Sequence, residues 1–265
     1  MTADEAAGER RWWRPVGGLV MAVVIVLAGS QAWAALVQQH FSGAKVYEQQ
    51  ARMLVLDTGT AQVTVQPGPP GRVTVRRDLD WTLRKPVVSM LWEGDVLSVS
   101  VRCGSLPVHL GDVGCDARIG IEVAPGTEVS GRSTSGSTEV RGLTGDVRLR
   151  TTSGAILLSG LGGQISARST SGLIRGLALA GPQVQASTDS GELRLTFARP
   201  PDAVTASVGS GEMGIVVPPG SRYRISGHSV SGNRSIDPAL ADPASPRSID
   251  VAAGSGTVGI ALADG

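Results

Sequence analysis

Residues 135–188 read SGSTEVRGLTGDVRLRTT, SGAILLSGLGGQISARST and SGLIRGLALAGPQVQAST, three consecutive units of 18 residues that each begin with Ser-Gly. The same pair recurs farther along the chain at spacings that grow from 18 to 24 residues. The seven pairs are Ser135-Gly136, Ser153-Gly154, Ser171-Gly172, Ser190-Gly191, Ser210-Gly211, Ser231-Gly232 and Ser255-Gly256. A recurring unit of this kind indicates a repeat architecture, in which each unit packs on its neighbours.

Each repeat contains two short runs in which apolar and polar side chains alternate, separated by a turn that contains glycine. Val147 and Leu149, for example, alternate with Arg148 and Arg150. A period of two predicts a strand with one buried face. The side chains expected in the core are Val147, Leu149, Ile156, Leu158, Ile165, Ala167, Val184, Ala186, Leu193, Leu195, Phe197, Val204, Ala206 and Val208.

One repeat of about 18 residues is too small to bury its apolar face alone, but repeats stacked ~4.8 Å apart pair their backbone edges and share a core. The sequence therefore predicts an all-β fold, a β-solenoid (β-helix) of about seven Ser-Gly repeats. The Ser-Gly corners are expected to stack as a ladder. Their glycines would supply positive φ angles, and nearby Ser and Thr hydroxyls would bond the turn backbone.

Residues 39–125 are also strand-like, with alternating runs such as 96–101 and 119–123, but they show no period. A solenoid needs a divergent unit at its end, because an open edge invites pairing with other chains. We therefore expect residues 39–125 to form an N-terminal β capping region and residues 126–265 to form the repeat region.

Residues 16–37 contain no charged side chain over 22 positions, which is long enough to cross a bilayer as a helix. Arg10, Arg11 and Arg14 precede this segment. The pattern predicts a cytoplasmic tail at 1–15, one transmembrane helix (an uncleaved signal anchor) at 16–38, and an extracytoplasmic body in a single-pass protein of the cell membrane. The alternative is a cleaved signal peptide, for which Ala32-Trp33-Ala34 would supply the cleavage site.

The chain has two cysteines, Cys103 and Cys115, which flank a short segment between strand-like runs. In an oxidising compartment such a pair predicts a disulfide. Zinc is the alternative, but only His109 lies nearby as a further ligand, and we predict no metal site.

The formal net charge of +1 argues against nucleic acid as a partner, because that affinity requires a clustered excess of Lys and Arg. No cofactor is expected. Residues 209–214 match the glycine pattern of dinucleotide-binding loops, but a strand-like run and two prolines follow where a helix would be needed.

Two carboxylates, Glu192 and Glu212, each follow a Ser-Gly pair, so that adjacent repeats would bring them to within ~5 Å. This is the geometry of a retaining glycosidase, whereas the alternative is a pair of solvated turn residues. The outward arginines allow two interpretations as well, namely contact with an anionic envelope polymer or lipid, or a solubilising surface. They are Arg148, Arg150, Arg168, Arg175 and Arg194.

The apolar N-terminal segment, the cysteine pair, the segment from Pro125 to Gly136 and the serial Ser-Gly turns together resemble the bacterial putative adhesin family (domain of unknown function 4097), in its membrane-anchored actinobacterial type. The resemblance implies a β-helix domain and brings no catalytic residues with it. We therefore predict a noncatalytic, adhesin-like envelope scaffold, with the membrane and a cell-wall polymer or another envelope protein as partners. The alternatives are an envelope-stress sensor that acts through a membrane partner and a polysaccharide-acting β-helix enzyme.

Overall fold

The computed structural model of the protein describes Met21, Val24 and residues 39–82, 85–103 and 115–263. The strands of this part are β1 (Gln39–Tyr47), β2 (Met53–Asp57), β3 (Gln62–Pro67), β4 (Val73–Trp81), β5 (Val87–Glu93), β6 (Val96–Arg102), β7 (Cys115–Val123), β8 (Glu128–Ser133), β9 (Thr138–Arg141), β10 (Val147–Thr151), β11 (Ala155–Ser159), β12 (Ile165–Ser169), β13 (Leu173–Leu179), β14 (Gln183–Phe197), β15 (Ala203–Val217), β16 (Arg224–Ser231), β17 (Arg234–Ile236) and β18 (Ser248–Leu262). A short 3-10 helix, Pro238–Leu240, precedes β18. The fold is all-β, as the sequence predicts.

The strands form two ladders of mainly parallel neighbours. The first ladder runs β6, β2, β8, β10, β12, and continues through the first halves of β14, β15 and β18 to β16. Strand β5 adds to β6 at its edge in the antiparallel direction. In this ladder Val147 lies opposite Val129 on one side and Ile165 on the other, so β8, β10 and β12 are 18 residues apart in sequence.

The second ladder runs β7, β3, β9, β11, β13, and continues through the second halves of β14, β15 and β18 to β17. Strands β4 and β1 extend it beyond β7 in the antiparallel direction. Each repeat of the sequence therefore contributes one strand to each ladder. The strands keep one register within the first ladder, and in the second ladder the register shifts between β13 and β14 after Gly176. Side chains at equivalent repeat positions of the first ladder therefore form straight columns.

The spatial order of the strands differs from the chain order at both ends. Strand β18 inserts between β15 and the pair β16 and β17, and β2 and β3 insert between β8 and β9 on one side and β6 and β7 on the other. Burial explains the order at the C-terminal end, since the inward side chains of β18 from Ile249 to Ile260 are at most 3% exposed whereas most of β16 is exposed. The apolar strand takes the internal position, where neighbours cover it on both sides.

The inward side chains of the two ladders pack into one core. Every residue that the alternating pattern assigns to the core is buried, so this prediction is confirmed. The same cluster includes apolar residues of β2, β3, β6 and β7. Residues on the two sides of position 125 therefore share a core, and the predicted division into a capping region and a repeat region stays a prediction.

A column of hydroxyl side chains lies inside the first ladder, where each strand meets its Ser-Gly corner. Its members are Ser133, Thr151, Ser169 and Thr188, all at most 8% exposed. Ser133 Oγ donates to Thr151 Oγ1 at 3.0 Å, and Thr151 Oγ1 accepts from the backbone N–H of Gly154, also at 3.0 Å. Thr188 Oγ1 donates to Ser190 O at 3.2 Å, whereas the buried Ser169 Oγ has no hydrogen-bond partner among the described residues. The hydrogen bonds of Ser133, Thr151 and Thr188 offset the cost of burying these three hydroxyls.

The predicted transmembrane helix at 16–38 lies outside the described residues except for Met21 and Val24. A helical span needs ~20 consecutive apolar residues. Across the described part of the chain, no helix is long and apolar enough to cross a membrane. This finding overturns the predicted localisation as a single-pass protein of the cell membrane.

Candidate binding face

The Ser-Gly corners lie side by side along the junction of the two ladders. Ser210 is in register with Ser190 on one side and with Ser255 on the other, and Ser231 lies beyond Ser255. Ser171 joins the same stack through its backbone N–H, which donates to Thr152 O at 2.7 Å. The column is continuous, but Ser255 precedes Ser231 in space, because β18 is inserted before β16. All seven serine side chains are exposed.

The glycines of these corners are required by close approach of the backbone. A Cβ atom added at Gly154, Gly172 or Gly211 would lie 2.0 Å from the carbonyl oxygen of the glycine in the neighbouring repeat. No L-residue side chain fits at that distance. Positive φ angles occur at Gly191, Gly211, Gly232 and Gly256, whereas Gly136, Gly154 and Gly172 do not share them. The expected conformational role therefore holds for four of the seven corners only.

A second glycine column was not predicted from the sequence. A Cβ atom at Gly163 would lie 2.2 Å from Gly145 O, and one at Gly181 would lie 2.0 Å from Gly163 O. The signal was present, because these three glycines are 18 residues apart. Together the two columns allow successive repeats to pack backbone against backbone at two corners.

Arginine side chains occupy one outward column of the first ladder. Arg150 of β10 lies in register with Arg132 of β8 and with Arg168 of β12, and all three are exposed. We call these three residues the arginine column. Each begins the motif Arg-(Ser/Thr)-Thr-Ser-Gly, which occurs at 132–136, 150–154 and 168–172. The second residue of the motif, Ser or Thr, is buried, and the third residue, Thr, is exposed. The motif therefore places a guanidinium and a threonine hydroxyl on the surface of each repeat.

Sequence reasoning grouped the arginines differently. Arg148 lies in the outward column beside Arg150, but Arg175 and Arg194 belong to β13 and to the second half of β14, in the other ladder. Arg132 is not among the arginines that the sequence suggested, and it precedes the first Ser-Gly pair. The five arginines named from the sequence therefore lie on two different faces.

The ion pairs on the outward side of the first ladder leave most of the charge of the arginine column unneutralised. Arg148 pairs with Asp146 at 3.0 Å and with Glu128 at 3.5 Å. Arg132 is 3.9 Å from Asp57 at the end of the column. Arg168 donates to Ser187 Oγ at 3.2 Å, and within the described part of the chain no carboxylate lies within 4.0 Å of Arg150 or Arg168.

Three shallow grooves adjoin along this face. The largest, about 400 Å³, lies between Ser130, Arg132, Arg148, Arg150 and Ser166, over the buried side chains of Leu56 and Leu149. The second, about 350 Å³, lies at the other side of the arginine column and is lined by Asp57, Arg132, Arg150, Arg168 and the threonines at 134, 152 and 170. The third, about 180 Å³, continues past Arg148 to Gln164, Gln183 and Gln185. We call this surface, with its grooves, the arginine face.

The two glutamates that suggested a glycosidase lie on the second ladder. Glu192 and Glu212 are in register on neighbouring strands, as expected. Arg194 binds both, at 2.6 Å from Glu192 and 3.6 Å from Glu212, and Arg175 is 4.0 Å from Glu192. The carboxylates are therefore held as ion pairs on an open surface rather than presented to a cleft.

The remaining candidate groups are dispersed. Cys103 accepts from the hydroxyl of Thr60 at 3.7 Å, and the side chain of Cys115 lies outside the described residues, so the predicted disulfide stays a prediction. His109 lies outside them as well, while His40 pairs with Asp80 at 2.7 Å. The described residues contain no group of three His, Cys, Asp or Glu side chains placed to hold a metal ion. The glycine motif at 209–214 lies entirely within β15.

No family model matches the sequence, and none of the curated proteins does. Three similar solved structures illustrate what the chain resembles. A putative adhesin from Parabacteroides distasonis is 13% identical, with 84% of this chain and 97% of that chain covered and a TM-score of 0.47. A putative adhesin from Bacteroides fragilis is 11% identical over 84% and 97% of the two chains, with a TM-score of 0.42. A putative cell adhesion protein from Clostridium sporogenes is 12% identical over 85% and 100%, with a TM-score of 0.39.

Proposed function

We propose that this protein is a noncatalytic, adhesin-like scaffold, a β-solenoid that presents the arginine face for contact with a cell-wall polymer or another protein. The proposal is supported by the two parallel ladders, in which each repeat of about 18 residues supplies one strand to each. Stacked repeats give a stiff, extended surface, because each strand is held by neighbours on both sides.

The observation that carries the proposal is the repetition of the same exposed side chains in register. Arg132, Arg150 and Arg168, each followed two residues later by a threonine, lie on three adjacent strands. Identical groups along a line favour extended contact with many weak bonds, since a reaction centre needs different groups that converge on one atom.

The alternative of a polysaccharide-acting enzyme depends on Glu192 and Glu212. A retaining mechanism needs one carboxylate as nucleophile and the other as a protonated acid, so their environments must differ. Both glutamates instead pair with the same group, the guanidinium of Arg194. The geometry thus favours a surface ion-pair network over catalysis.

The test uses the full chain immobilised on beads and exposed to a panel of neutral and acidic wall polysaccharides and to extracted surface proteins. We expect at least one of these to be retained, and any retained polysaccharide to be recovered with unchanged chain length. The double variant Glu192→Ala/Glu212→Ala is the control. Failure to retain any of them, or shortened products that disappear in the double variant, would contradict the proposed function.

A further inference from the structure

We infer that the arginine column is a binding site for a linear acidic polysaccharide that lies along the stacking direction of the strands, perpendicular to the strands themselves. The inference rests on the proposed function and specifies its ligand. It begins from the register, in which Arg132, Arg150 and Arg168 occupy the same outward position of β8, β10 and β12. Adjacent strands are ~4.8 Å apart, so the guanidinium groups repeat along a straight line at about this interval.

The column carries charge that the protein itself does not balance. Like charges directly opposite on neighbouring strands destabilise a sheet. Arg150 lies between two other arginines, and the described residues place no carboxylate within 4.0 Å of it. By contrast, Arg148 in the next column has two acidic partners, Asp146 and Glu128. An external polyanion would supply the counter-charges that the arginine column lacks.

The chemistry of the grooves identifies the kind of polyanion. A guanidinium binds a carboxylate, or the anionic group of a sulfate or phosphate ester, through two parallel hydrogen bonds, and it retains its charge at any physiological pH. Exposed hydroxyls of Thr134, Thr152 and Thr170 line the groove on one side of the column, and Ser130 and Ser166 line the groove on the other. Hydroxyls on both sides of an anion site suit a sugar chain, whose own hydroxyl groups donate and accept hydrogen bonds.

Other polyanions fit this surface less well. Nucleic acid strands carry a charge about every 3.4 Å, which differs from the ~4.8 Å interval of the column. Aromatic side chains that would stack on bases are absent from the lining residues of the grooves. A lipid surface would require apolar anchors, yet the large exposed apolar side chains of the described residues lie elsewhere, at Met21, Val24, Val46, Val87, Leu91, Leu177 and Val230.

The experiment compares the full chain with two single variants, Arg150→Gln and Arg199→Gln. Both variants remove one positive charge from an exposed arginine, but Arg199 follows β14 and does not line the arginine face. Binding to polygalacturonate, to dextran sulfate and to neutral dextran is measured by biolayer interferometry at several salt concentrations. The first two probes distinguish carboxylate from sulfate recognition.

We expect the wild-type protein to bind at least one of the acidic polymers and not the neutral one, with affinity that falls as salt rises. Arg150→Gln should weaken binding about tenfold or more, because a charge-assisted pair is lost, whereas Arg199→Gln should stay within about twofold of wild type. The thermal unfolding temperature of Arg150→Gln should equal that of the wild type or lie slightly above it, since the substitution relieves repulsion between neighbouring arginines on the sheet.

Absence of binding to both acidic polymers, or equal loss in the two variants, would overturn the inference. These outcomes are separable from failure of the proposed function. If the beads still retain a surface protein or a neutral polysaccharide, and Arg150→Gln retains it equally well, the scaffold role stands and the acidic ligand is wrong. If the beads retain nothing, both are wrong.

Discussion

The substitution Gly172→Ala tests the close packing of the Ser-Gly column. The new Cβ atom would lie 2.0 Å from Gly154 O and 2.8 Å from Ser169 Oγ. Nonbonded carbon and oxygen atoms approach to ~3.3 Å, so the two repeats would have to separate by about 1 Å at this corner. The φ angle of Gly172 is not in the left-handed region, so the effect is due to close approach rather than to backbone conformation.

The magnitude follows from the hydrogen bonds that join these repeats. The backbone N–H of Thr170 donates to Thr151 O at 3.1 Å, and that of Ser171 donates to Thr152 O at 2.7 Å. A separation of about 1 Å takes both beyond hydrogen-bonding distance. Each broken bond that leaves a backbone group unsatisfied costs ~1–3 kcal/mol, so the loss of both bonds in Gly172→Ala should lower the free energy of unfolding by about 2–6 kcal/mol. That is a large part of the ~5–15 kcal/mol of a typical domain.

The assay is urea unfolding followed by far-ultraviolet circular dichroism, with Gly162→Ala as the matched control. A Cβ atom at Gly162 has its nearest neighbour, Thr144 Cγ2, at 3.5 Å, which is an ordinary contact. The control should therefore be neutral or more stable by ~0.4–1 kcal/mol, because alanine restricts the unfolded chain. An unfolding midpoint for Gly172→Ala equal to or above that of Gly162→Ala would refute the packing argument.

Three further predictions concern other positions. Ala178 has a φ of 50° in the slot that Gly142 and Gly160 occupy in the two preceding repeats, so Ala178→Gly should raise the free energy of unfolding by ~0.5–1 kcal/mol in the same urea assay, and a loss of stability would contradict the strain. Burial raises the pKa of Tyr223 above its ordinary 10.0, so the unfolded chain ionises first and the free energy of unfolding should fall as pH rises above about 10. The urea midpoint of Tyr223→Phe should fall less over the same pH range, and an equal fall in both proteins would exclude Tyr223 as the cause. Thiol labelling of the unreduced protein in denaturant should modify neither cysteine if the predicted disulfide is present, and reduction should then cost ~2–3 kcal/mol of stability, whereas two labelled thiols would refute the bridge.

The core and the strand pattern could be predicted from the sequence because they depend on local alternation. Val147 and Leu149 face inward, and Arg148 and Arg150 outward, simply because successive side chains of a strand point to opposite faces. The spacing of 18 residues likewise predicts which positions share a column, as Val129, Val147 and Ile165 do.

The candidate site was only partly accessible to the same reasoning. Arg150 and Arg168 were identified as outward arginines, but the missing member of the column, Arg132, lies at the border of the two regions that the lack of a period suggested. Arg175 and Arg194 share the outward direction within a strand but belong to the other ladder. Alternation specifies the inner or outer side of a strand, and it does not specify which ladder the strand joins.

The sequence by itself determined the strands of the repeats, their inward faces and the repeat length, since these follow from local periodicity. The tertiary structure alone decided the order of the terminal strands, in which β18 lies between β15 and the pair β16 and β17. It alone also decided the close backbone approach that excludes a Cβ atom at Gly172. It also decided that Arg150 and Arg168 stand beside Arg132 with no carboxylate of the described residues within 4.0 Å of either. The physical reason is that strand order and column contacts depend on which distant apolar surfaces cover one another, and many arrangements share the same local pattern.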